Sequence, residues 1–145
     1  MMTFDEARDH PLSSDSEIEA RVSDLIGRAN QRQVWLLFLD ADDVQLPLLL
    51  PVDGMPLFPD DSTAGFASLV AASMSQIEAS SVIVVLERYA DAAITESDRL
   101  WARAISEAFS DRSLRLRALL ISHRRGVRWF AADDYLSAAA PAGAQ

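Results

Sequence analysis

Two groups of side chains in this chain have the types and spacing for chemistry. The first is a set of carboxylates at the ends of apolar runs. Asp40 closes the run Gln33 to Asp40 (QVWLLFLD), and Asp42 and Asp43 follow in the adjoining turn. Asp53 sits in Pro51-Val52-Asp53-Gly54, and Glu87 closes Val82-Ile83-Val84-Val85-Leu86. Acids at neighbouring strand ends can hold Mg²⁺ through oxygen ligands, and the metal would then assist phosphoryl chemistry. Asp40, Asp53 and Glu87 are therefore the candidate metal ligands of a Mg²⁺-dependent phosphodiester hydrolase. Ordinary turn chemistry is the plainer and favoured explanation, because Asp side chains readily hydrogen-bond the backbone that follows them.

The second group is a run of six arginines, with no acid, between Arg112 and Arg128. Arg115 and Arg117 alternate with Leu114, Leu116 and Ala118, which puts the two arginines on one solvated strand face. Arg124, Arg125 and Arg128 lie in or beside the turn His123-Arg124-Arg125-Gly126. Guanidinium forks grip phosphates and carboxylates, and the nearby Trp129 adds stacking surface. Arg115, Arg117, Arg124, Arg125 and Arg128 are thus the candidate binding residues for a phosphorylated ligand. A solvated strand face is the plainer alternative. Pairing with acids of the same chain, or of a second subunit, is another.

Missing residue types exclude much else. All thirteen basic residues are Arg, so a P-loop or a Schiff base has no lysine to use. Cysteine is absent, which removes thiolate nucleophiles, disulfides and cysteine-ligated zinc. His10 and His123 form no ligand cluster. No Gly-x-Ser-x-Gly elbow, His-Glu-x-x-His pair or glycine-rich dinucleotide fingerprint occurs. No catalytic residue and no cofactor is expected, and a non-enzymatic interaction or regulatory domain is favoured over an enzyme.

These candidates must be positioned by a single folded unit. The chain has 145 residues, half of them hydrophobic and 24% charged, which suits one globular domain. Its net charge of −9 comes from the first 61 residues, where 13 acids face 4 Arg; the rest balances at 9 each. The overall sign makes nucleic acid an unfavoured partner. A second copy of the chain or another protein is the expected partner. The acidic start has no apolar signal core and no run is long enough to span a bilayer, so the expectation is a soluble, cytoplasmic protein without a membrane partner.

Residues 1–13 read as an acidic arm, mobile unless it docks, 14–136 as the domain, and 137–145 as a flexible Ala-rich tail. Ser14 to Glu17 has the form of a capping box. Ile18, Val22, Leu25 and Ile26 follow as one helical stripe, with Arg28 in the last turn. Gln33–Asp40 and Val44–Leu50 predict an antiparallel hairpin, in which Pro47 calls for a sheet edge or a bulge. Ser62 is the expected cap of a second helix with a core stripe of Phe66, Leu69, Val70, Met74 and Ile77. Thr95-Glu96-Ser97-Asp98 opens a third, with Leu100, Trp101, Ala104, Ile105 and Ala108 inward. A hairpin of Leu114–Ile121 and Val127–Phe130 closes the domain. Trp35, Trp101 and Trp129 read as core anchors. The predicted class is α/β (mixed α+β), order α-β-β-α-β-α-β-β, with a mixed sheet of about five strands and helices packed on it. Strands separated by helices should run parallel and the hairpins should add antiparallel edges.

The runs VWLLFLD, LPLLLPVDGMP, SVIVVLERY and LRALLISHRRGVRWF resemble small α/β proteins of actinobacteria. The resemblance covers about residues 33–130 and implies the fold class and the Arg/Ala bias. It implies no activity, cofactor or active site.

Overall fold

The computed structural model describes residues 10–135. The part of the arm before His10, and the tail 137–145, lie outside the described residues. Helix α1 spans Asp15–Leu25, strands β1 and β2 Gln33–Leu39 and Gln45–Val52, and helix α2 Ser62–Ile77. Strand β3 spans Ser81–Glu87, helix α3 Glu96–Asp111, strands β4 and β5 Leu116–His123 and Gly126–Trp129, and a single helical turn, α4, Ala132–Tyr135. The five strands form one mixed sheet in the order β2-β1-β3-β4-β5. This is the predicted α/β class and element order.

Both hairpins are antiparallel and supply the two edges. β3 and β4, joined through α3, run parallel. β2 and β3 are also joined by a helix, but β1 lies between them and is antiparallel to both. The apolar strands are buried on both faces because helices cover both. Val34, Leu36, Phe38, Val82, Val84, Leu119 and Ile121 meet Phe66, Val70, Trp101, Ile105 and Phe109 of α2 and α3. Leu37, Leu39, Ile83, Val85, Ala118 and Leu120 meet Leu12, Ile18 and Val22 on the α1 side. Removing such continuous apolar runs from water is the main driving force for this sheet.

Helix ends follow local chemistry. Ser14 Oγ accepts from Glu17 N–H while Glu17 accepts from Ser14 N–H. Thr95 and Asp98 repeat this box at α3. α2 starts differently from expectation. Its cap residue is Asp61, which makes no side-chain cap bond, while Asp60 accepts from Ser62 N–H. α1 also ends early. Gly27 at φ +66° turns the chain, so Arg28 falls outside the helix. From His10 the arm is docked: Arg21 donates to the His10 carbonyl, and Leu12, fully buried, donates its N–H to the Asp43 carbonyl.

Several periodic expectations are corrected. Leu69 lies on the exposed side of α2 and Ala67 takes its inward place. In α3 the buried set is Asp98, Trp101, Ala102, Ile105 and Phe109, with Leu100 and Ala104 half-buried. Trp101 is a core anchor, whereas Trp35 and Trp129 are half-buried. β2 extends to Val52, and Pro47 meets both conditions set for it, standing on an edge strand inside a bulge opposite Phe38. In β4, Val82 pairs with Leu116 but Ile83 with Ala118, so Arg117 is an extra, bulged residue. The strict alternation fails there: Leu114 and Leu116 pack on the α2/α3 core, Ala118 on the α1 core.

Candidate functional site

The two candidate groups occupy different places from those the sequence suggested. β1 and β3 are antiparallel, with Gln33 opposite Glu87 and Leu39 opposite Ser81. Asp40 therefore lies at one end of the sheet and Glu87 at the other, roughly 20 Å away at about 3.3 Å per residue. Asp53, just past Val52 on the far side of β1, shares the Glu87 end but is two strand spacings away, about 10 Å. Asp40, Asp53 and Glu87 do not converge, and among the described residues no group of three His, Asp or Glu could hold a metal. The Mg²⁺ reading is corrected on that ground. Asp40 is turn chemistry, its Oδ1 accepting from Asp42 N–H and Val44 N–H.

Glu87 is a structural hub. Its Oε2 accepts from the Asn30 and Gln31 N–H groups, and its Oε1 from Gln33 Nε2 and the Trp35 indole. Burial alone would raise its pKa. The four donors outweigh it and hold the carboxyl below the ordinary glutamate range. With Ser122 Oγ donating to the Gly27 carbonyl and Ala29 N–H to the His123 carbonyl, the α1–β1 connection is stitched across the ends of β3 and β4.

The next residue, Arg88, has no sequence signature of its own and was missed. Its Nε and Nη2 grip Asp98 at 2.9–3.0 Å, while Nη1 and Nη2 donate to the Asp91 and Ala93 carbonyls. Both side chains are buried. This fork sets the β3–α3 loop, and Asp98 caps α3 with the same carboxylate. Between Arg32, Glu87, Arg88, Ser97, Asp98 and Trp101 lies a cavity of about 20 Å³. That is room for one water rather than for a small molecule.

The arginines divide into two ends. Arg115 is exposed and Arg117 pairs with Asp15 at 3.2 Å, an intramolecular contact at the start of β4. Arg124, Arg125 and Arg128 stand at the opposite end, some seven residues or ~23 Å along the strand. Two of them lie against the β3–α3 loop, Arg124 over the Tyr89 ring at 6.0 Å and Arg128 with its Nη1 donating to the Ala92 carbonyl, while Arg125 is exposed in the adjoining turn. His123 is buried there, its Nδ1 accepting from Arg125 N–H. Burial, with Arg88 and Arg128, lowers its pKa, and Asp91 opposes them.

A further feature has a sequence signal that periodicity hides: no charged residue occurs from Ser62 to Ile77. The outer side of α2 shows Gly65, Ser68, Leu69, Ala72 and Gln76 to solvent. Leu57 and Phe58, in the loop before α2, are exposed as well. That loop is held by Arg32 and by the Trp101 indole, each donating to the Pro56 and Leu57 carbonyls, and by Ser97 Oγ. No helix among the described residues is long and apolar enough to cross a membrane. No family model matches the chain, and no curated protein does.

Proposed function

We propose that this chain is a non-enzymatic, cytoplasmic interaction domain that pairs with a second copy of itself through the outer side of α2. One observation carries this reading. Four large apolar side chains are exposed among the described residues, and three of them, Leu57 (57%), Phe58 (48%) and Leu69 (42%), lie on an uncharged helix or the loop that leads into it. Two copies at −9 each repel, so they approach at least cost along the uncharged residues of α2. Asp60 and Asp61 flank these at the helix start, and Arg112 flanks them at Ser68, its Nη2 donating to Ser68 Oγ. Gly65 and Ala72 let two helix axes come near the close limit of about 8 Å. The loop backbone is already fixed, so Leu57 and Phe58 can act as anchors with little ordering cost. A sheet edge is less suited to pairing. β2 carries Pro47 and Pro51, and β5 has four residues.

Sedimentation velocity across protein and salt concentration tests the reading. The expected result is a dimer that tightens as salt screens the net charge, and that Leu69→Arg converts to monomer. Because Leu69 is exposed, this variant should keep its stability within about 0.5 kcal/mol. A wild type monomeric throughout, or a Leu69→Arg dimer as tight as wild type, overturns it.

A further inference from the structure

We infer that the tip built by the β3–α3 loop and the β4–β5 turn binds a small ligand carrying a dianionic phosphate beside a planar ring, with Arg124, Arg125 and Arg128 on the phosphate and Tyr89 on the ring. The location is the first support. β3 and β4 are the parallel pair of the described sheet, and their carboxyl ends, Glu87 and His123, lead directly into these segments. In open α/β sheets, ligands lie outside the carboxyl ends of such strands.

Preorganisation is the second. The loop after β3 is strapped at successive residues: Arg88 holds the Asp91 and Ala93 carbonyls, Arg124 N–H donates to the Ala90 carbonyl, and Arg128 Nη1 to that of Ala92. Tyr89 projects from this fixed backbone at 67% exposure. Rigid aromatics held in this way supply contact at low entropic cost.

Charge is the third. Arg88 is neutralised by Asp98, but Arg124, Arg125 and Arg128 have no carboxylate partner among the described residues. Asp91 is the one acid that acts on His123 against these cations. Counted by formal charge, Arg124, Arg125 and Arg128 against Asp91 leave a local positive excess that matches a phosphate monoester, which carries about −1.5 to −2 at neutral pH. His123 is buried at this tip, and burial first, then the nearby charges of Arg88 and Arg128, favours its neutral form. A mononucleotide-sized ligand meets only this local field. A polynucleotide would meet the acidic body of the protein.

The test is calorimetric titration of the full chain at low salt with inorganic phosphate, AMP and adenosine. AMP should bind most tightly, phosphate next and adenosine least. Arg124→Gln with Arg125→Gln should weaken AMP by at least roughly tenfold. Tyr89→Ala should reduce AMP to the affinity of phosphate. Arg115→Gln, an exposed arginine at the far end of the sheet, should change nothing. All four positions are exposed, so these variants should fold, and circular dichroism verifies it. No saturable binding of phosphate or AMP by the wild type overturns the inference. So does equal weakening by Arg115→Gln, or an AMP affinity that Tyr89→Ala leaves intact. The outcome is independent of pairing through α2.

Discussion

The Trp35 indole N–H donates to Glu87 Oε1 at 2.8 Å. This links the interior strand β1 to the end of the central strand β3 and completes the fourth hydrogen bond on one carboxylate. The other three come from segments just before β1 or at its start. One side chain thus fixes where the connection from α1 enters the sheet.

Glu87→Ala is expected to destabilise by about 2–4 kcal/mol, because it leaves partly buried N–H donors without an acceptor. Glu87→Gln should cost less, since it keeps one acceptor oxygen while turning an amide N–H₂ toward other donors. Urea unfolding checks both, with the midpoint shifting at constant slope.

Asp98→Ala removes both a cap and the partner of buried Arg88. A loss of about 3–5 kcal/mol is expected from the uncompensated charge alone. Combining it with Arg88→Met should recover part of the loss. A double-mutant cycle by denaturant titration measures this coupling.

Acid should destabilise the fold in two steps. Glu87 has a folded pKa below its unfolded value, so its contribution is present above the unfolded value and is lost as pH falls through the folded one. His123 is also depressed, and the unfolded chain binds its proton first. Stability therefore declines as pH falls below the ordinary histidine value, until the folded form also titrates. Unfolding free energies across neutral to mildly acidic pH should show this slope, and His123→Gln should flatten it.

Gly27→Ala should cost about 1–2 kcal/mol, because L-residues are disfavoured in the left-handed region. Gly27 sits at φ +66°, and an added Cβ would meet the Ser23 carbonyl oxygen at 3.4 Å. Thermal unfolding of the variant gives the value.

Where one periodicity ruled, the sequence was legible. Val82 to Leu86 announces a buried strand, and Ser14 with Glu17 and Thr95 with Asp98 announce helix starts, because each signal is complete within a few residues. Pattern alone could not see the bulge at Arg117, which is set by pairing with β3, or that Leu69 faces outward in a helix apolar enough to fit several faces. The site was less legible for a related reason. Asp40 and Glu87 both end strands, but those strands are antiparallel, so the ends lie at opposite poles of the sheet. Equally, Arg115 and Arg124 flank one strand, β4, and so stand at its opposite ends.

Pro47 and Pro51 have a consequence during synthesis. The hairpin of β1 and β2 emerges from the ribosome before its partner β3, since Gln33 meets Glu87 54 residues later in the chain. Until then the run Val34 to Leu39 exposes a bare edge of the kind that seeds intermolecular strands. The prolines guard only the opposite edge of the nascent hairpin, where they withhold N–H donors from any passing chain. The hazard in making this protein is therefore one-sided, and it ends when Ser81 to Glu87 arrives to close β1.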